Sequence, residues 1–351
     1  MWRYTCMLGA VVIALAVAGS GSAFAANHPN APARAQSKAQ WQHEIANLRT
    51  PGKGCYHASY PALQWHATAC LVAPAVPLAP RLSGGPRTVG DGKDYAAKVS
   101  GTISKATGTF NDVSSSLTEK GQINDTGPQV KNAFSLQLNS QFFSDTPACD
   151  GAAVPADCLG WQQFVYAFHY SGTTNEVFMQ YWLLYYDTTC PTGWMTDETD
   201  GYIFCYANSP ATSYGSLPAK DLGDISFVGT ATSGGSDTAT LSSSLGGASS
   251  TSNSDSKLHL AAVWDETEWN VVGDAGGGEA NFGADSTLEP QTSFVATSSS
   301  APTCVANGGT TAETNNLDLT KTPKLGAESS PTMASLETNG TAKKASCAVK
   351  S

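Results

Sequence analysis

Two aromatic runs lie close together in the middle of this chain, Trp161–Tyr170 (WQQFVYAFHY) and Val177–Tyr186 (VFMQYWLLYY), and they limit what it can fold into. Each has the length and the aromatic and aliphatic content of a strand, and a turn beginning Ser-Gly-Thr-Thr joins them as a hairpin. Apolar residues occupy both alternating sides of each run. A strand of that kind must be covered on both faces, so the pair is expected at the centre of a sheet with material packed above and below.

The surrounding sequence extends this pattern. Asn132–Phe143 (NAFSLQLNSQFF) alternates, with Ala133, Ser135, Gln137 and Asn139 on one side and Phe134, Leu136 and Leu138 on the other. That is the period-two signature of a half-buried strand. Tyr95–Ser104 and Thr107–Val113 are short strand candidates, and Lys257–Trp264 with Thr267–Val272 reads as another pair. Gly229–Leu241 is expected as an edge strand, and the Gly/Ser/Thr-dense stretch after it, to Ser256, as a flexible loop. No segment longer than a turn or two carries a 3.6-residue period. Many short strands separated by Gly, Ser and Thr turns argue for an all-β fold, a concanavalin- or lectin-like antiparallel β-sandwich with disulfide-closed loops.

The start of the chain points outside the cytoplasm. Residues 1–25 read as a signal peptide: Arg3 supplies the positive charge, Met7–Ala18 the apolar stretch, and Ala23-Phe24-Ala25 the small-residue cleavage site. About 12 apolar residues are too few to span roughly 30 Å of hydrocarbon, so cleavage is expected rather than anchoring. Of nine cysteines, Cys6 leaves with the signal. The remaining ones fall as neighbours: Cys55/Cys70, Cys149/Cys158, Cys190/Cys205 and Cys304/Cys347. An even number in an oxidising compartment implies disulfides, and pairing of neighbours is the expected connectivity. No C-x-x-C or H-E-x-x-H spacing occurs, so neither a metal nor another cofactor is expected. The protein is expected to be secreted or periplasmic, monomeric, and free of the membrane once its signal is cleaved.

Composition divides the remainder. Residues 26–90 form a Pro/Ala-rich N-terminal segment, read as a stapled appendage or a removable propeptide, in which Ala73–Arg87 resembles an extended linker. Residues 91–296 form the sandwich domain. Residues 297–351 form a Ser/Thr-rich tail without a single aromatic residue, expected to be loosely ordered. The 351-residue chain carries 19 Lys and Arg against 29 Asp and Glu, a formal charge of −10. Nucleic acid is therefore excluded as a partner, because phosphate contacts need cations.

Few residues are left to carry chemistry. There is no Gly-x-Ser-x-Gly elbow and no phosphate loop, and the histidines of the β region, His169 and His259, suit a core or rim role better than a general base. Polar groups planted in apolar strands are more informative, since a buried amide without a partner costs roughly 1–3 kcal/mol. Gln162, Gln163 and Gln180 sit in the aromatic runs, and Glu268 stands beside Trp269 in Asp265–Asp274 (DETEWNVVGD). These groups either face solvent at a rim or are exploited.

A collinear set of motifs resembles the glutamic peptidases, the eqolisins. Val99-Ser100-Gly101-Thr102 is similar to their V-S-G-T strand, and Asn132–Asn139 stands where their next strand does. Trp161-Gln162-Gln163-Phe164-Val165 resembles L-Q-T-G-V, and Phe178-Met179-Gln180-Tyr181-Trp182 resembles W-Y-E-W-Y. Glu266–Val271 resembles A-E-W-I-V, and Ala280-Asn281-Phe282-Gly283 resembles A-D-F-G. The match runs from Tyr95 to Gly283. It implies a polypeptide substrate, Glu268 as the general base and then acid, and Gln162 as the amide that stabilises the oxyanion, with Gln163 as the alternative one register away. Gln180 takes a supporting place, and Trp182, Trp269 and Asn139 supporting or substrate-binding ones. The pattern departs at Phe164, where the family has a Gly and where bulk is expected to narrow the approach of a substrate backbone.

The competing reading is a non-catalytic, lectin-like module. In it Trp182, Tyr181, Tyr185, Gln180 and Asn139 would stack on and bond to an extracellular glycan. A glycosidase ranks third, because a facing carboxylate pair is not evident beyond Glu268, Glu266, Asp265 and Glu176. Asp197–Gly201 lacks the spacing of a calcium loop and reads as a solvated turn.

Overall fold

The computed structural model describes residues 37–81, 94–122, 127–168, 174–339 and Cys347. The expected signal peptide, the end of the expected linker and His169 lie outside the described residues.

Two large sheets dominate. The first runs, in spatial order, β11 (Met195–Thr199), β12 (Tyr202–Asn208), β10 (Asn175–Leu184), β9 (Leu159–Ala167), β8 (Ser135–Ser140), β17 (Glu266–Val272), β4 (Ala96–Lys98) and β20 (Thr303–Val305). β13 (Pro210–Tyr214) also pairs with β10, and with β3 (Leu71–Val72). The second runs β2 (His66–Thr68), β1 (Gly54–Ser59), β16 (Gly247–Ser254), β15 (Ser236–Ser243), β14 (Ile225–Thr230), β5 (Ile103–Asn111), β19 (Thr287–Ala296), β24 (Thr332–Ala334) and β23 (Lys324–Leu325). β25 (Glu337–Thr338) joins β19 to β22 (Asp318–Leu319). A small sheet orders β21 (Thr314–Asn315), β18 (Glu279–Phe282), β6 (Glu119–Gln122) and β7 (Gln129–Lys131). Its β18–β21 pair is parallel, whereas the pairs within the two large sheets are antiparallel.

The large sheets pack face to face as a β-sandwich. Phe134, Leu136, Leu138, Phe164, Tyr166, Met179, Tyr181 and Trp269 of the first layer meet Phe110, Phe227, Leu241 and Phe294 of the second. Alternation along each strand dictates this sorting, since residues two apart share a face. Trp269 lies over Gly108, where a Cβ would sit 2.2 Å from the indole, so the close approach requires the missing side chain. The two aromatic runs are central strands covered on both faces, as their composition demands: Val177, Met179, Tyr181 and Leu183 point between the sheets, while Phe178 and Trp182 are buried on the outside.

Disulfides join Cys55–Cys70, Cys149–Cys158, Cys190–Cys205 and Cys304–Cys347, the neighbour pairing expected. Bonds of this kind form and persist under oxidising conditions.

Several local expectations are corrected. A helix, α1 (Lys38–Asn47), is present, capped by Ser37 Oγ accepting from Gln40 N–H at 3.1 Å. It buries only Trp41 and Ile45, one turn apart, against Tyr56, Ala58, Trp65 and Ala248. Two buried positions leave almost no periodic trace, and packing rather than propensity holds the helix. Lys257–Trp264 is not a strand. Asp255–Lys257 and Leu260–Ala262 are single 3-10 turns, with left-handed His259 between them and Asp255 Oδ1 accepting from Ala261 N–H at 3.0 Å. β17 pairs instead with β8 and β4.

The Gly/Ser/Thr region is neither edge nor loop. β14, β15 and β16 lie inside the second sheet. Their inward positions supply Phe227, Ala239 and Leu241 to the core, and their outward hydroxyls satisfy one another: Thr230 with Thr238 at 2.6 Å and Thr240 with Ser250 at 2.7 Å. Nor are residues 297–339 of the expected tail loose, since β20, β24 and β25 pair with β4 and β19; the rest of that stretch apart from Cys347 lies outside the described residues.

Candidate active site

On the outer face of the first sheet, register alone assembles a row of polar side chains. Glu268 stands opposite Asn139, Asn139 opposite Gln163, Gln163 opposite Gln180, and Gln180 opposite Asn208. Residues directly opposite in antiparallel strands put their side chains on one face. The row therefore crosses β17, β8, β9, β10 and β12 in a line, and the backbones of Glu268 and Gln163 stand two strands, roughly 10 Å, apart.

Hydrogen bonds run the length of the row. Asn139 Nδ2 donates to Glu268 Oε2 at 3.1 Å and to Gln137 Oε1 at 3.1 Å. Gln163 Nε2 donates to the same Gln137 oxygen at 3.2 Å. Trp182 Nε1 donates to Gln163 Oε1 at 3.2 Å and to Gln180 Oε1 at 3.0 Å, and Gln180 Nε2 donates to Asn208 Oδ1 at 2.9 Å. Trp182 itself is stacked on Tyr206 with ring centroids 5.0 Å apart. One indole N–H thus orients two glutamines.

The tail closes the row at its acidic end. Thr310 N–H and Thr310 Oγ1 each donate to Glu268 Oε2 at 2.9 Å, while Glu268 Oε1 and Asn139 Oδ1 are buried without a partner. Glu313 Oε2 accepts from Gln137 Nε2 at 3.2 Å and from the Thr311 hydroxyl. Burial pushes the Glu313 carboxyl above its ordinary range, and burial together with Glu313 pushes Asp274 well above its own. Glu266, two residues before Glu268, is also raised by burial although Lys98 opposes the shift.

Gln162 is not part of this row. The period of two turns its side chain to the opposite face, between the sheets, where Nε2 donates to Asp237 Oδ2 at 3.0 Å and contacts Met179 Sδ at 3.8 Å. Gln163 is the glutamine that shares a face with Glu268. Trp269 is likewise inward, beside Phe110 and Phe227, with ring centroids 4.9 and 5.7 Å away, so it lines the core and not the row. Phe164 also points inward, 5.4 Å from Trp264, and its bulk does not narrow the row. The glycan platform changes too: Tyr181 faces the core, and Trp182 is fully buried.

Gln137, Asn208, Thr310 and Glu313 were missed as site residues. Gln137 carried a signal, because it falls on the polar side of the alternating β8 with Ser135 and Asn139. Thr310 and Glu313 carried none, lying in a tail whose composition is uniform.

No family model matches the chain, and no curated protein matches it. Two solved structures are similar at a distance. One is a member of the eqolisin family of peptidases, SCP-B, in complex with the tripeptide Ala-Ile-His, at 12% identity over 69% of this chain and 97% of that one, with a TM-score of 0.27. The other is scytalido-glutamic peptidase with a transition-state analogue inhibitor, again at 12% identity over 69% and 97% of the two chains, with a TM-score of 0.28.

Proposed function

We propose that this protein is a secreted acid endopeptidase of the glutamic type, acting through Glu268 and Gln163. The observation that supports it best is the shared row: a carboxylate and a primary amide on one face, linked through Asn139 and Gln137, with Glu268 Oε1 buried and without a donor. A buried acceptor of this kind calls for a donor, and a water serving it is the nucleophile. Glu268 takes a proton from that water as the oxygen attacks the scissile carbonyl carbon. Gln163 Nε2 has two hydrogens, of which Gln137 takes one, and the other serves the developing oxyanion. The C–N bond then breaks as Glu268 returns the proton to the leaving amine. Asn139 and Trp182 position the pair. Entry to the secretory route through residues 1–25 belongs to the same proposal and agrees with the disulfides.

The test is cleavage of a denatured protein across about pH 2–7 by wild type, Glu268→Gln, Gln163→Ala and Gln162→Ala, with folding checked by circular dichroism. The expected outcome is acid-range cleavage that is abolished by Glu268→Gln and falls by about a hundredfold in Gln163→Ala. Activity retained in Glu268→Gln overturns the assignment. A Gln162→Ala loss larger than that of Gln163→Ala overturns the choice of glutamine.

A further inference from the structure

Residues 73–81, Ala-Pro-Ala-Val-Pro-Leu-Ala-Pro-Arg, cross the polar row from its Asn208 end to its Glu268 end. What the row and its walls hold is their backbone. The Pro74 carbonyl accepts from Asn208 Nδ2 at 2.8 Å, the Ala75 carbonyl from the Tyr206 hydroxyl at 2.8 Å, and the Pro77 carbonyl from Gly276 N–H at 3.0 Å. Leu78 N–H donates to Gln180 Oε1 at 2.9 Å, and Ala79 N–H to Glu313 Oε1 at 3.2 Å. Further on, the segment pairs with the tail. Ala312 N–H donates to the Ala79 carbonyl at 3.0 Å, Arg81 N–H donates to the Thr310 carbonyl at 2.8 Å, and Pro80 bridges antiparallel to Thr311.

Main-chain bonds plus a short added β-pairing are the means by which a groove holds an extended polypeptide whatever most of its side chains are. Two side chains of the segment are buried in one apolar cluster, Ala73 at 7% exposure and the larger Leu78. Leu78 is 1% exposed, in an apolar pocket with Val165, Ala167, Phe178, Ala211 and Ala275, whereas Val76 is 40% exposed. Prolines 74, 77 and 80, at every third position, favour an extended backbone and remove N–H groups that would otherwise need acceptors.

We propose that residues 73–81 are a built-in pseudosubstrate, and that the site beneath them takes an extended polypeptide whose leucine-sized aliphatic side chain fills the Val165–Phe178 pocket. The inference rests on the reading of the row as a peptide-processing site, and it adds the class of substrate and the restraint on its entry. A tethered segment faces its own site at an effective concentration on the order of millimolar, so a free peptide at micromolar concentration does not measurably displace it, and cleavage by wild type is slowed rather than abolished.

The experiment uses the full chain and a fluorescent Ala73–Arg81 nonapeptide. Wild type is expected not to bind it. Leu78→Ala, which empties the pocket, is expected to gain binding by about thirtyfold or more. The same nonapeptide with Asp in place of its leucine is expected not to bind. Folding of the variant is checked by circular dichroism, and hydrogen exchange on wild type gives a readout that needs no variant. The Leu78 and Ala79 amides are expected to exchange about a hundredfold or more slowly than in the free nonapeptide.

Free-peptide exchange rates at Leu78 and Ala79, or no gain of peptide binding by folded Leu78→Ala, overturn the inference. Equal cleavage of a denatured protein by wild type and Leu78→Ala overturns the restraint. Peptide binding by Leu78→Ala without cleavage at any pH upholds the groove and its pocket while refuting the peptidase reading.

Discussion

Replacing Glu337 by Gln should change how the stability of this protein responds to pH. Glu337 lies in β25 at 1% exposure, and Oε1 accepts from Asn270 Nδ2 at 2.9 Å. Burial pushes its carboxyl up to about 8 from an ordinary 4.5, against the opposing pull of the Asn270 and Asn315 amides. Below the unfolded value both states hold the proton and the group contributes no pH dependence. Between about 4.5 and 8 the folded state keeps the proton and the unfolded state loses it, so stability falls as pH rises, by about 1.4 kcal/mol per pH unit. From pH 5 to pH 7 that is roughly 3 kcal/mol, a large share of a typical folding free energy.

Gln preserves the shape and the acceptor for Asn270 while removing the titration. Denaturant unfolding followed by tryptophan fluorescence, disulfides intact, should give Glu337→Gln a stability close to wild type at pH 4. At pH 7 the variant should be more stable by up to roughly 3 kcal/mol. Stability curves that stay parallel between pH 4 and pH 7 would refute the reasoning. Glu119, pushed up to about 9 chiefly by burial, and Asp237, raised by burial and by neighbouring Asp255, slope in the same direction. Between about pH 4.5 and 8 these three carboxyls therefore favour the fold more in acid, while His57, lowered by burial, slopes the other way.

Other perturbations test the architecture. Gly108→Ala drives a methyl into the Trp269 ring, and should destabilise by about 1–3 kcal/mol in the same unfolding assay. Cys304→Ser with Cys347→Ser opens a loop with a sequence separation of 43, and chain entropy puts the loss at about 4 kcal/mol at most, read as a shift of the denaturant midpoint. Trp182→Phe strips an N–H from two buried glutamine oxygens, which should cost about 1–3 kcal/mol of stability. If the row is catalytic, that variant should also lose kcat more than KM, because Gln163 loses the donor that orients it while the backbone contacts from Asn208, Tyr206, Gly276 and Glu313 remain.

Much of the layer structure was legible because strand alternation is a local property. Ser135, Gln137 and Asn139 against Phe134, Leu136 and Leu138 is enough to orient β8, and the doubly apolar runs are enough to centre β9 and β10. Neighbour order made one cysteine pairing the expected one, but the sequence left the connectivity open and the fold decided it. The choice between Gln162 and Gln163 was not legible: both lie in a run that is apolar on each side, so neither face is marked as outward. Register against Asn139 and Gln180 selects Gln163, and register is a property of three strands at once.

The serine- and threonine-rich strands misled for a related reason. A hydroxyl reads as solvent-seeking until a neighbouring strand supplies its partner, as Thr238 does for Thr230. Helix α1 left too few buried positions to register. Alternation, loop closure and the planting of amides and a carboxylate in apolar strands were thus written locally in the chain. Which of those groups meet was decided by register between strands, and that residues 73–81 and 310–313 lie over them came from contacts between segments more than a hundred residues apart, such as Leu78 with Gln180 and Ala79 with Glu313. Such contacts depend on the free energy of the whole packing, and no single segment encodes them.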